Sequence, residues 1–114
     1  MSGMKVLCVE DHPDYMAMLT CMLEGIGYEV MPTSNGGQAI DVLSKQAIDG
    51  VLLEYNLPDA AGTTLRAKLK AIRPDVPVLL FAGIGKQTPF MLRFFDSYLR
   101  NGDRLGDVSG DVDS

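Results

Sequence analysis

The chain has 114 residues, a formal net charge of −5, 46% hydrophobic and 22% charged residues, so one globular domain with a core is expected and wholesale disorder is excluded. No apolar run approaches about 18 residues, which excludes a membrane-spanning helix, and acidic residues come too early in MSGMKVLCVED for a secretory leader. The two cysteines, Cys8 and Cys21, exclude a disulfide scaffold; both lie in apolar context and read as buried free thiols, in keeping with a reducing cytoplasm.

Lys5–Glu10 reads as a first strand, because Val6, Leu7, Cys8 and Val9 form a continuous apolar run of the kind a strand covered on both faces needs. Pro13 suits the first turn of a helix, where its missing N–H costs nothing. Tyr15, Met18, Leu19, Met22 and Leu23 then recur at helical spacing, with the methionines as core filling and Met16 off the stripe. Gly25 or Gly27 supplies the left-handed stop. Tyr28–Thr33 is a second strand, Asn35-Gly36-Gly37 breaks the chain, and Ala39, Ile40, Leu43 and Ala47 mark a second helix. Val51–Leu53 is a buried third strand ending at Glu54. Leu57-Pro58-Asp59 is a loop, and Leu65, Leu69 and Ile72 give a third helix closed by Pro74. Val76–Phe81 is a fourth strand, Gly83 and Gly85 open a loop, and a short fourth helix carries Pro89, Met91, Leu92 and Phe95. Ser97–Arg100 reads as a fifth strand.

Alternation of strand and helix, with strands apolar throughout, argues for a doubly wound α/β fold: a parallel sheet with helices on both faces. Functional groups in such sheets collect beyond the carboxyl ends of the strands, where Glu10, Asp11, Glu54 and Ala82 stand. Three of these are carboxylates, and hard oxygen ligands suit Mg²⁺. Equally, Glu10 and Asp11 can cap the first helix and interact with its dipole. His12, the only histidine, reads as an exposed spacer before Pro13. No second histidine exists for a zinc site, no G-x-S-x-G elbow for a hydrolase, and Gly83-Ile84-Gly85-Lys86 lacks P-loop spacing.

Charge is uneven. Residues 1–100 carry 9 basic and 11 acidic side chains, a net of −2, whereas residues 101–114 set Arg104 against four aspartates, a net of −3. No basic stripe runs along the chain, which argues against nucleic-acid binding. The last residues repeat Gly-Asp at 102, 106 and 110, without the nine-residue pattern of calcium repeats, and read as a solvated tail.

With these residues in place, the sequence resembles the receiver domain of two-component response regulators, from about Lys5 to Asn101. VEDHP at 9–13 resembles the family's acidic strand end, NGGQAIDVL at 35–43 its second helix, and DVPVLLFAG at 75–83 its fourth strand. DSYL at 96–99 resembles the entry to its fifth strand. VLLEYNLPDAAG at 51–62 is the most specific match: Pro58 and Gly62 stand four and eight residues beyond the phospho-acceptor position. The resemblance implies a flavodoxin-like, five-stranded parallel sheet in the order 2-1-3-4-5, with residues 1–101 as the receiver-like domain and 102–114 as an acidic, disordered tail.

It also implies functional positions, and the sequence departs from several. The acidic pair is kept as Glu10 and Asp11. The phospho-acceptor position holds Glu54 instead of aspartate, the hydroxyl position holds Ala82, and the lysine position, three residues after the switch aromatic Tyr98, holds Asn101 followed by Gly102. Asn56 stands where the family offers a backbone carbonyl to Mg²⁺, so Glu10, Asp11, Glu54 and Asn56 are the implied metal set. Glu54 moves the acceptor oxygens by about 1 Å, a misplacement that can cost roughly a hundredfold in rate. The expected function is therefore that of a degenerate receiver, a pseudo-receiver of a cytoplasmic phosphorelay, which is not an enzyme and acts by contact with a kinase, regulator, output protein or second copy of itself. No nucleic acid or membrane partner is expected. The alternatives are a Mg²⁺-dependent phospho-acceptor with unusual residues, or a fragment of a longer regulator.

Two further expectations follow. Crowding of Glu10, Asp11 and Glu54 should raise one carboxylate pKa, since like charges about 5 Å apart repel by roughly 3 kcal/mol at an effective dielectric of 20. The fold's final helix should be missing, because residues 101–114 offer only Leu105, Val108 and Val112 among three glycines. An apolar patch over the fourth and fifth strands would then lie open.

Overall fold

The computed structural model describes residues 3–101. Four strands, β1 (Lys5–Val9), β2 (Glu29–Thr33), β3 (Gly50–Glu54) and β4 (Val78–Phe81), alternate with four helices, α1 (Pro13–Gly25), α2 (Gly36–Lys45), α3 (Gly62–Ile72) and α4 (Thr88–Asn101). All pairings are parallel and the order is β2-β1-β3-β4, the flavodoxin-like arrangement. Register aligns Val9 with both Thr33 and Leu53, and Glu54 with Phe81, so the strands end together at one sheet edge.

The apolar runs are explained by two cores. Leu7, Val9, Val51, Leu53 and Val78 face Ala39 and Leu43 of α2 and Leu65 and Leu69 of α3. Val6, Cys8, Leu52, Leu79 and Phe81 face Leu19 and Leu23 of α1 and Leu92 and Phe95 of α4. A strand buried on both faces cannot alternate polar with apolar, hence the runs. Local signals set the boundaries. Pro13 opens α1, and Gly27, at φ +104°, ends it with its N–H donated to Glu24 O. At α2, Asn35 Oδ1 accepts from Gln38 N while Gln38 Oε1 accepts from Ser34 N, a reciprocal cap.

The fifth strand is overturned. Ser97–Arg100 lies inside α4, a fourteen-residue helix, and the sheet has four strands among the described residues. Leu92, Phe95 and Leu99 continue one apolar stripe at helical spacing, and Asp96 and Arg100 form an i,i+4 ion pair at 2.7 Å. That period outweighs the short strand-like run.

The open apolar face is overturned with it. Among the described residues there are four helices, one fewer than the resemblance implies, but α4 packs beside α1 on the same side of the sheet. Leu79 and Phe81 are only 9% and 7% exposed beneath it. The fit is close: a Cβ on Gly50 would lie 2.9 Å from Phe95 and 3.0 Å from Leu99.

Two smaller expectations also fail. Cys8 is buried but Cys21 is exposed, because it falls between the inward positions Leu19 and Leu23 on the opposite side of α1. For the same reason Met18 is 47% exposed, whereas Met16 packs partly against the core. The tail at 102–114, including Gly102, lies outside the described residues.

Candidate functional site

Glu10, Asp11 and His12 follow β1 directly, and Glu54 is the last residue of β3. Parallel pairing of β1 with β3 brings the two glutamates to one sheet edge, both almost fully buried at 2% and 4% exposure. Asp11 is half-buried and His12 exposed.

The glutamates are held differently. Glu10 Oε2 accepts from the His12 backbone N–H at 2.9 Å and lies 3.1 Å from His12 Nδ1. Glu10 Oε1 and Asp11 Oδ1 are buried and have no hydrogen-bond partner. Burial pushes the Glu10 pKa up, the contacts with His12 oppose this, and the neighbouring Glu54 charge adds to it. The expected raised carboxylate is thus Glu10, with desolvation rather than repulsion as the leading cause. His12 is raised in turn, first by its bond to Glu10 and then by the charge of Asp11, 3.4 Å from Nδ1.

Both oxygens of Glu54 are taken by the backbone. Oε2 accepts from Asn56 N at 3.0 Å and Oε1 from Gly83 N at 3.0 Å. Asn56 belongs to the loop after β3, pinned by its bridge to Ala61 and by Gly62 N donating to Tyr55 O at 2.8 Å. This pinning accounts for the glycine: a Cβ at Gly62 would lie 2.7 Å from Tyr55 Cα. Gly83 adopts φ +72°, a conformation suited to glycine, and so turns its N–H back onto Glu54. Two amides from different loops converging on one carboxylate make an anion hole, here filled by the protein's own side chain. Sequence reading missed these donors, since they are backbone groups; the glycine just beyond Ala82 was the available signal.

The remaining site positions divide. Ala82 is exposed at the end of β4, next to Gly83, and offers no hydroxyl. Asn101 does not reach this edge. It ends α4, bonded to Ser97 Oγ at 3.0 Å, and its neighbour Leu99 packs against Gly50 at the start of β3, the opposite end from Glu54. Tyr98 likewise sits on α4 against Pro77, Val78 and Leu79. The positions assigned to Tyr98 and Asn101 by a fifth strand are therefore corrected by α4.

For a divalent cation, Glu10 Oε1, which makes no hydrogen bond, and Asp11 Oδ1, which faces His12 Nδ1 at 3.4 Å, are suited, and ligand atoms of Glu10, Asp11 and His12 lie within 4.8 Å of one another. Glu54, fully engaged by amides, is not free in the same way. A crevice of about 300 Å³ beside the acid pair is lined by Pro13, Met16, Thr33, Ser34 and Gln38.

The sequence profile described as the response regulator receiver domain matches residues 6–96. Among curated relatives, the sensor histidine kinase RcsC of Salmonella typhimurium is 36% identical over 76 residues, covering 67% of this chain and 8% of the kinase. Sporulation initiation phosphotransferase F of Bacillus subtilis is 28% identical over 86 residues, covering 75% of this chain and 69% of that protein. Among solved structures, a CheY-like receiver domain protein from Methanospirillum hungatei aligns with a TM-score of 0.78 at 20% identity, covering 88% of this chain and 96% of that one. The receiver domain of the sensor kinase PA1611 from Pseudomonas aeruginosa, solved with a magnesium ion in its active-site cleft, aligns at 0.75 with 21% identity, covering 86% and 98%.

Proposed function

The chain belongs to the response regulator receiver domain family, a module of two-component signalling, and on that premise we propose that it is a pseudo-receiver that works by protein contact and not by a phosphorylation cycle. One observation carries the reading. Glu54 already holds the Asn56 and Gly83 amides, the two donors that converge at the acceptor position. An incoming phosphoryl group would have to displace a buried carboxylate from both. Transfer of this kind depends almost wholly on positioning and charge stabilisation. Ala82 brings no hydroxyl and Asn101 brings no cation to the edge, so neither can offset the displacement.

The same arrangement suits a fixed state. Glu54 links the loop after β3 to the turn after β4. Its partner is a kinase, regulator or output protein of the same signalling system. Where Mg²⁺ binds, Glu10 and Asp11 hold it, and the ion neutralises the acid pair.

Incubation with Mg²⁺ and a small-molecule phosphodonor, followed by intact mass measurement, tests the proposal. No gain of one phosphate is expected. A gain that disappears in Asp11→Asn would mean that the chain is a working phospho-acceptor.

A further inference from the structure

Glu10, Asp11 and His12 are consecutive, yet one ligand atom from each gathers in a small space beyond the end of β1. The backbone fixes them there. Glu10 N donates to Thr33 O at 3.0 Å, which keeps Glu10 on the sheet, and Met16 N donates to His12 O at 2.9 Å, which starts α1. Pro13 restricts His12 to extended backbone, and its φ of −89° and ψ of 117° obey that restriction. The imidazole lies against Tyr15, with ring centres 4.9 Å apart, so its orientation is held from the helix side.

His12 Nδ1 stands between two carboxylates, 3.1 Å from Glu10 Oε2 and 3.4 Å from Asp11 Oδ1. At a metal–ligand distance of about 2.1 Å, neighbouring ligands stand about 3.0 Å apart in an octahedron and about 3.4 Å apart in a tetrahedron. The two separations are those of adjacent corners of a coordination polyhedron, and an ion fits by taking the place of the Nδ1 proton. A second observation points the same way. The Glu10 side chain is fully buried, and its other oxygen, Oε1, has no hydrogen-bond partner. A buried carboxylate of that kind calls for a cation. Glu54, the remaining carboxylate at this edge, is committed to Asn56 N and Gly83 N. The set on offer is therefore two carboxylates and one imidazole, and not carboxylates alone.

We propose that His12 is a metal ligand and that the site prefers a first-row transition ion, of the Zn²⁺ kind, to Mg²⁺. This rests on the reading above of the acid pair as a cation site. Mg²⁺ favours oxygen ligands and keeps its waters, whereas imidazole suits zinc, copper, iron and nickel. Three protein ligands leave the remaining positions to water, which is the pattern of an open site and differs from the closed four-ligand zinc site that a single histidine rules out. The crevice of about 300 Å³ beside the acid pair gives the ion its way in.

Calorimetric titration of the full chain with Zn²⁺ and with Mg²⁺ tests this, in a Cys21→Ser background that removes the exposed thiol as a competing ligand. Nitrogen shifts of the imidazole are followed in parallel, and one histidine in the chain makes them unambiguous. The expected result is one Zn²⁺ bound about tenfold or more tightly than Mg²⁺, with the ring shift at Nδ1. His12→Gln, at a side chain 63% exposed and so without cost to folding, should erase that advantage and leave Mg²⁺ binding as it was. Asp11→Asn should weaken both ions. A Zn²⁺ advantage that survives His12→Gln, or a ring shift at Nε2 alone, would place the ion elsewhere and overturn the proposal. Equal affinities that ignore His12→Gln would overturn it while leaving the acid pair as a Mg²⁺ site. Binding of neither ion would overturn it together with the cation reading of the acid pair. The phosphorylation reading is tested separately, by intact mass.

Discussion

Gly83 donates its backbone N–H to Oε1 of Glu54 at 3.0 Å, so the turn leaving β4 is fastened to the end of β3 by a single acidic side chain. The other oxygen of Glu54 holds Asn56 N at the same distance. One carboxylate therefore sets the position of two loops.

The first prediction tests that fastening. Glu54→Asp keeps the charge but is one methylene too short to span both amides. Losing one such bond should cost about 0.5–1.5 kcal/mol, which lowers the melting temperature of a domain this size by several degrees. Exchange at the Gly83 amide should quicken while the amides within β1 and β3 stay protected. Unchanged exchange at Gly83 would mean that Glu54 does not hold the turn.

The acid pair makes stability fall as pH rises. Glu10 has a raised folded-state pKa, so its contribution is fullest below the ordinary value of 4.5 and is lost as pH rises through the folded value. His12 is also raised, so its contribution is present below 6.5 and is lost as pH rises through its own folded value. The two losses have the same sign and follow in sequence. Melting curves recorded from pH 4.5 upward should decline, and His12→Gln should remove the later part of the decline. Mg²⁺ should restore stability at neutral pH, since a ligand bound only by the folded state stabilises it. A melting temperature that rises steadily over this range would contradict the arrangement.

The cysteines should separate cleanly. Burial pushes the Cys8 thiol up to about 12, with the Glu10 charge adding to the effect, whereas Cys21 is exposed on α1. Thiolate is the reactive form, and inert buried thiols react only when the fold opens. A thiol reagent at neutral pH should add one label per folded chain, at Cys21, and a second only in denaturant. Fast labelling of Cys8 would mean that β1 is not sealed.

Much of this was legible in the sequence because it rests on local signals. Pro13 and Gly27 set the ends of α1, the apolar runs around Leu7, Leu52 and Leu79 demanded cover on both faces, and the carboxylates fell at strand ends. What escaped was non-local. Whether Cys21 and Met18 face the core depends on which side of α1 meets the sheet, and Leu19 and Leu23 decide that only once packed. Ser97–Arg100 contains Tyr98 and Leu99, which suit a strand as well as a helix. Their fate turns on distant partners at Gly50, Tyr28 and Ile26. At the site, side chains were readable, but the amides of Asn56 and Gly83 carry no residue-specific signature.

Those distant partners give the last prediction, on the helical state of residues 97–100. The Tyr28 hydroxyl donates to Asp96 Oδ1, which also accepts from Arg100 Nε at 2.7 Å. Arg100 Nη2 reaches Ile26 O at 3.2 Å, and its guanidinium lies 5.8 Å from the centre of the Tyr28 ring. Asp96 thus joins the turn after α1 to the last turns of α4. Tyr28→Phe removes the hydroxyl but leaves Asp96 with Arg100, so only the net worth of one bond is lost, about 0.5–1.5 kcal/mol. Asp96→Ala leaves a buried tyrosine hydroxyl without its acceptor, which costs about 1–3 kcal/mol. The aspartate change should therefore be the more damaging, and it should act on α4 first. Backbone carbon shifts of Ser97, Tyr98 and Leu99 should be helical in the parent chain and move towards random coil in Asp96→Ala, while those of β1 and β3 stay in place. Extended shifts at these three residues in the parent chain would restore a fifth strand.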